Sequence, residues 1–357
     1  MSKKYPFQAD YAVAPGTTLR DTLEVKGLSQ ADLALRTGLA EKTVSQIING
    51  IAPITYETAE KLEMAVGIPA RFWNARERSY REALVKIEET KRLEKDIDWL
   101  DEIPLDALAA RNHIAMEDDK RSLVRQALRF FGVSSVDAWR NTWEKPCVQY
   151  RGGAVQKKRP GYSAAWLRLG EIAVETVVCE PYNARAFRQV LEGIRSLTTQ
   201  PPSVWQEEVV KRCAAVGVAV VFVREIRGAG ISGVAKWITK DKAFIQLSLK
   251  YKTDDQLWFS FFHGAAHISL HGKRDVFVED GHSDTEEERE ADRFAADLLI
   301  PPDRARELPY LKSRSAVRSF ANLLQIAPGI VVGRMQHDGL MPASYCNDLK
   351  GKLDWSD

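Results

Sequence analysis

From about residue 202 the spacing of apolar residues changes, and that change limits the folds open to this chain. Upstream, apolar positions recur three and four apart, as in Leu19 and Leu23 or Val44, Ile47 and Ile48, which is the period of a helix face. The runs VAVVFV (218–223), ISGVAKWI (231–238) and FIQLSL (244–249) have strand character instead, and turn residues separate them. Helical spacing returns from about Asp254 to Leu270 and from about Thr285 to Ile300, where Pro301 and Pro302 stop it. The expected class is therefore α+β and mostly helical, with a small sheet near the C-terminus.

At 357 residues the chain has room for two or three domains. Its 45% hydrophobic and 28% charged content is ordinary for a soluble globular protein. A net charge of +2 gives no bulk attraction to nucleic acid, so any DNA contact must come from a local surface. Cys147, Cys179, Cys213 and Cys346 are scattered, with no C-x-x-C pair, so neither a disulfide framework nor a thiolate zinc site is indicated. No run approaches the ~18 consecutive apolar residues of a membrane span, and MSKKYPFQADYAVAPG lacks the apolar core of a signal peptide. A cytoplasmic protein with no membrane partner is expected.

Residues 1–14 read as an arm, and 15–80 as a domain of short helices joined by tight turns. Ser29 suits an N-cap, with Asp32 in the first turn after it. Gly38 sits where that helix must end, and Asn49-Gly50 closes the next. Gln30–Thr37, a Gly38 turn and Glu41–Asn49 thus form a helix-turn-helix pattern, with the second helix placed to enter a major groove. Val44, Ile47 and Ile48 face inward; Lys42, Thr43, Ser45, Gln46 and Asn49 face outward, toward phosphates and base edges. A small helical domain that docks protein has the same geometry. The segment PGTTLRDTLEVKGLSQADLALRTGLAEKTVSQIINGIAPITYETAEKLEMAVGIPARFW, however, closely resembles the helix-turn-helix of HigA-type antitoxins and related XRE-type, phage-repressor-like regulators. That resemblance implies a double-stranded DNA operator as partner.

Residues 81–160 read as a helical connector region. Mixed charge in REALVKIEETKRLEKDIDWL is usually a solvated face, although Leu93, Ile97 and Leu100 could line a homodimer contact. KRSLVRQALRFFGVSSVDAWRN reads as an amphipathic helix, a glycine turn and a serine-capped start. YRGGAVQKKRPGYS (150–163) reads as an exposed basic loop.

The third domain, 161–350, carries the candidate chemistry. In FFHGAAHISLHG, His263 and His267 stand four apart, so one helix face offers two imidazoles to one cation. Catalytic zinc usually takes three protein ligands and leaves a fourth position for water. A bare H-x-x-x-H is weak, since such pairs arise by chance. The helix TEEEREADRFAADLLIPP adds a carboxylate: its apolar face holds Ala291, Phe294, Ala295, Leu298 and Leu299, and Glu290 borders that face. Glu287, one turn earlier, is the runner-up, while Glu286 and Glu288 read as solvated. His271 continues the series, but about 80° further round and ~12 Å up the helix, which suits a supporting role better than direct ligation. His282 reads as exposed and His113 as structural; His337 and Arg334 are weak candidates for oxyanion stabilisation.

Together GVAVVFV, ISGVAKW, H-x-x-x-H-I-S-L-H-G, E-A-D-R-F-A-A-D-L-L-I-P and IAPGIVVGRMQHDG resemble the ImmA/IrrE family of zinc metallopeptidases. The resemblance implies a zincin-like fold, Zn2+ on His263, His267 and Glu290, and a protein substrate or a toxin or repressor partner. It also implies that a sheet edge near 231–238 or 244–248 aligns an extended peptide. The departure is Gly264, which stands where the family pattern has its general-base glutamate. Losing such a base typically costs about 10²–10⁴ in rate. The expectation is a DNA-binding regulator with an impaired metallo-endopeptidase domain; the alternative is a non-enzymatic repressor or antitoxin whose zincin domain senses a ligand or holds a partner.

Overall fold

A computed structural model describes residues 11–145, 159–250, 252–272, 276–279 and 285–355. Two compact units separate, one running to Ile97 and including Asp119–Arg121, the other holding Asp98–Asp118 and Ser122 onward.

The first unit contains α1 (Pro15–Lys26), α2 (Gln30–Thr37), α3 (Glu41–Ile48), α4 (Tyr56–Val66) and α5 (Ala70–Lys95). Ser29 closes a reciprocal cap on α2: its hydroxyl accepts from the Asp32 N–H at 3.1 Å, and the Asp32 carboxylate accepts from the Ser29 N–H at 2.9 Å. Gly38 ends α2 at φ 67, in the left-handed region where a side chain is strained. Leu19, Leu33, Val44, Leu62 and Trp73 fill a core that pins α3 by its inner face. The approach of α1 to α3 depends on a glycine. A Cβ on Gly16 would lie 2.1 Å from the Ile47 carbonyl oxygen and 2.5 Å from that of Ile48.

In the second unit α6 (Leu105–Ala109), most of α7 (Lys120–Phe131) and α8 (Val136–Trp139) lead to the sheet domain. Trp139 packs edge-on against Trp99 and Phe131, with ring centroids at 5.3 and 5.7 Å. Then follow α9 (Pro160–Glu175), α10 (Ala184–Arg195), α11 (Pro202–Ala214), β1 (Val218–Phe222), β2 (Gly233–Thr239), β3 (Lys242–Leu247), α12 (Asp254–Leu270), β4 (Val276–Glu279), α13 (Glu286–Leu299), α14 (Pro302–Ala305), α15 (Arg314–Leu324) and α16 (Pro328–His337). The start of α9 corrects the loop expected over 150–163. Pro160 opens the helix, and Gly161 and Ser163 are buried, the Ser163 hydroxyl donating to the Ala229 carbonyl at 2.7 Å. Residues 150–158 of that expected loop, and His282, lie outside the described residues.

The sheet order is β1-β3-β2-β4, with β1 and β3 parallel and the other neighbours antiparallel. Val220, Ile245, Ala235 and Phe277 stand in one row across the four strands. α12 lies over that row, while α9 covers the opposite face, where Gln246 donates to the Trp166 carbonyl at 2.7 Å. β2 and β3 are both interior: β4 pairs along β2, and β1 along β3. The expected peptide-aligning edge at 231–238 or 244–248 is therefore already hydrogen-bonded by the chain's own strands.

A C-terminal strap fixes the start of α12. The Asp254 N–H donates to the Gly351 carbonyl at 2.9 Å, and Lys350 Nζ lies 2.7 Å from Asp255 Oδ2. Burial pushes the Asp254 carboxyl up to about 6, helped by the neighbouring Asp255 and opposed by the backbone N–H of Gly351.

Two outcomes follow. Gly16→Ala should destabilise the first unit by about 1–3 kcal/mol, read as a fall in its thermal midpoint. Because the folded pKa of Asp254 is raised, its stabilising effect is full below about pH 4 and is lost as pH rises through about 6. Asp254→Asn should flatten that part of the stability–pH curve, an effect on the order of 2 kcal/mol in urea titrations.

Candidate metal centre and nucleic-acid interface

α12 begins with Asp254 and Asp255 in its first turn and ends at Leu270, and nearly all of it is buried. His263 is 4% exposed and His267 1%. Their Nε2 atoms face each other at 2.9 Å. Two imidazole lone pairs at that distance repel, so a proton or a cation must lie between them. Glu288 reaches the pair from α13, with Oε2 3.0 Å from His263 Nε2 and Oε1 3.5 Å from His267 Nε2. The ligand atoms of these three residues lie within 4.8 Å of one another. Two imidazoles and one carboxylate are a donor set that fits zinc.

The carboxylate brought to the histidines is thus Glu288, where Glu290 had been expected. Glu290 is half exposed and accepts from His271 Nε2 at 3.1 Å, outside the trio. Glu287 is exposed on the first turn of α13. The reason is helical phase. Glu288, Ala291, Ala295 and Leu299 fall at i, i+3, i+7 and i+11, and the last three are the buried residues of α13. Extending that stripe back by one turn reaches Glu288; Glu290 lies to one side of it. The stripe was visible in the sequence, but Phe294 and Leu298, only partly buried, widened it toward Glu290.

Each imidazole is held from behind. His263 Nδ1 lies 2.9 Å from Asp292 Oδ1, and His267 Nδ1 lies 2.9 Å from His271 Nδ1. The supporting position expected for His271 is where the structure puts it. Phe277 of β4 stacks on the His267 ring at 3.8 Å and 12°. Burial lowers the His267 pKa below the usual imidazole range, against the pull of Glu288. Glu288 itself is buried enough to be pushed up, but hydrogen bonds and charge from His263 and His267 outweigh this and bring it down to about 2. An ionised carboxylate and a deprotonated imidazole are the forms a metal requires.

Gly264 lies on the sheet side of α12. A Cβ there would come 3.2 Å from Ile245 Cγ2 and 3.6 Å from Ala235 Cβ. His337 and Arg334 lie on α16, where Arg334 Nε donates to Asp338 at 2.7 Å. His113 packs near Phe130, at 5.5 Å between ring centroids.

On α3, Lys42 and Asn49 are exposed, and Thr43, Ser45 and Gln46 half-buried. Asn49 Nδ2 donates to the Ser45 carbonyl at 2.9 Å, so its amide closes the helix end. Lys42, Thr43 and Gln46 lie off the buried face of Val44, Ile47 and Ile48.

Comparison with known families agrees with this architecture. Residues 19–73 match the helix-turn-helix family, and residues 217–334 match the IrrE N-terminal-like domain, a peptidase family. The chain therefore joins an XRE-type helix-turn-helix to an IrrE-like domain, the combination of a DNA-binding regulator with a peptidase-type fold. No curated protein sequence matches it. Two solved structures share part of it. One is described as an antidote protein of a plasmid maintenance system from Nostoc punctiforme (24% identity, TM-score 0.23, covering 24% of this chain and 92% of that one). The other is an addiction module antidote protein of the HigA family from Coxiella burnetii (26% identity, TM-score 0.22, covering 24% and 94%). No helix among the described residues is long and apolar enough to cross a membrane by itself.

Glu288→Gln should lower zinc content measured by elemental analysis, whereas Glu290→Gln should leave its stoichiometry unchanged. Asp292→Asn should weaken zinc affinity about 10–100-fold, read by competition with a chromogenic chelator.

Proposed function

We propose that this chain is an operator-binding regulator whose C-terminal domain holds zinc on His263, His267 and Glu288 and engages a partner protein. The convergence of those three side chains carries the reading. A homodimer is the expected state on a two-fold operator.

The chain's own residues divide the work at the centre. Asp292 and His271 orient the two imidazoles through their Nδ1 atoms. Glu288, pulled to about 2, stays ionised and serves as an acceptor and not as a proton carrier. Bound zinc supplies a polarised water and a Lewis acid for a carbonyl. Hydrolysis then needs a base to move the water's proton, and the place that supplies it in related peptidases is Gly264, which has no side chain. Glu288 and Asp292 are each committed to an imidazole nitrogen. The reading is a centre that retains metal and has lost most turnover, so that the domain holds a toxin, repressor or substrate segment more than it cuts it.

Gly264→Glu tests the catalytic half. Accommodating the new side chain requires Ile245 to give by a few tenths of an ångström. With candidate partner proteins, the restored chain should cleave about 10²–10⁴-fold faster than the parent, and chelation should abolish that activity. Equal rates before and after restoration would refute the role given to Gly264. For the regulatory half, gel shifts on promoter DNA of the chain's own gene should show salt-dependent binding. Lys42→Ala should lower the salt slope by about 1, and Gln46→Ala should cost about 1–3 kcal/mol at the cognate site only.

A further inference from the structure

His263 and His267 are not held alike. Behind His263 stands a carboxylate, with Asp292 Oδ1 2.9 Å from Nδ1. Behind His267 stands a second imidazole, that of His271, Nδ1 to Nδ1 at 2.9 Å. An ionised acceptor makes the stronger hydrogen bond and fixes the ring in front of it more firmly. His267 has a different support, on its face. The Phe277 ring lies against it with centroids 3.8 Å apart and planes inclined by only 12°. Phe277 also reaches His271, at 5.2 Å and 42°. His263 has no such stack from Phe259, one turn back on α12, which is 6.1 Å away and tilted by 35°.

The supporting ring comes from another element. β4 pairs along β2 at the edge of the sheet, with Phe277 opposite Ala235. Ala235 faces α12, since its Cβ would lie 3.6 Å from a Cβ on Gly264. Phe277, its cross-strand neighbour, stands on the same side of the sheet and carries the ring that reaches His267. The next residue, Val278, falls on the opposite face and is 6% exposed.

At 3.8 Å the two rings are already in contact, so the imidazole cannot swing toward Phe277 without overlap. The Nε2 lone pair lies in the plane of the imidazole, so whatever sets that plane also aims the lone pair. A ligand aimed before the metal arrives has less freedom to lose on binding it.

We infer that Phe277 is a positioning residue for His267: its stacked ring holds the imidazole in the orientation that a metal uses, and metal on His267 in turn holds β4 to the sheet. The inference rests on the reading that zinc is bound by His263, His267 and Glu288. Its second half follows from its first, because a coupling between two binding events is equal in both directions.

Three measurements on the full chain test it: zinc affinity by competition with a chromogenic chelator, the absorption spectrum of the cobalt(II)-loaded chain, and hydrogen exchange of the 276–279 amides with and without zinc. Phe277→Leu keeps an apolar side chain and removes the flat face. It should weaken zinc binding about 2–10-fold, alter the cobalt spectrum and reduce by the same factor the protection that zinc gives to β4. Phe277→Tyr and Phe277→Trp put back a flat ring, and at least one should return the affinity to within about twofold of the parent and recover its cobalt spectrum. Val278→Ala removes packing from the same strand on the other face of the sheet. It should lower the thermal midpoint and leave the cobalt spectrum unchanged. Circular dichroism checks the fold of each variant. A parent chain that holds no zinc overturns the earlier reading and this one together. With a parent that holds zinc, the role of Phe277 alone is overturned if Phe277→Leu keeps the parent's affinity, or if neither aromatic variant recovers what leucine loses. Equal protection of β4 by zinc in the parent and in Phe277→Leu, or the same spectral change in Val278→Ala, overturns it as well.

Discussion

The close seat of α12 on the sheet is the constraint from which the rest of the second unit follows. Gly264 sits at that contact, where a Cβ would meet Ile245 Cγ2 at 3.2 Å and Ala235 Cβ at 3.6 Å. With the helix that low, His263 and His267 are sunk to a few percent exposure, and the row of β-strand side chains beneath them includes Phe277, which stacks on His267. Burial on that scale is hostile to a charged imidazole and lowers the His267 pKa. Under the proposed function, the residue at that contact is also the one that lacks the side chain hydrolysis would need.

Around that helix the polar groups form linked pairs. Asp292 and Glu288 come from one helix and reach opposite nitrogens of the His263 ring, and Glu290 from that helix reaches His271 behind His267. α13 therefore serves three contacts with residues two apart in sequence, which a helix can do only at the border of its buried stripe, where neighbouring side chains fan to both sides. At the other end of α12, the C-terminal strap through Lys350 and Gly351 closes over two buried aspartates. Metal-site geometry and the last residues of the chain are thus joined through one rigid rod.

The first unit is built on a different economy of contacts. It has a core of leucine, isoleucine and one fully buried tryptophan, with close backbone crossing at Gly16 and a helix stop at Gly38. That arrangement leaves α3 with one face committed to the core and the other carrying Lys42, Thr43 and Gln46. Asn49 looked like a base-reading residue by type and phase, but at the helix end both its backbone N–H and its side-chain amide donate to the Ser45 carbonyl.

Much of this was legible from residue order alone. The α+β class, the limits of α2 and α12, the Ser29 cap and the pairing of His263 with His267 are local consequences of period, capping and helical phase, which act within one or two turns. Other features needed the folded chain. Glu288 and Glu290 differ by 200° of helical rotation, and only the packing of α13 on α12 decides which of them faces the histidines. Nothing near residue 235 announces that β4, more than forty residues later, will occupy the edge of β2. Short-range steric and capping rules are written in neighbouring residues; which faces meet is settled by burial summed over the whole unit, and no local stretch of chain contains that sum.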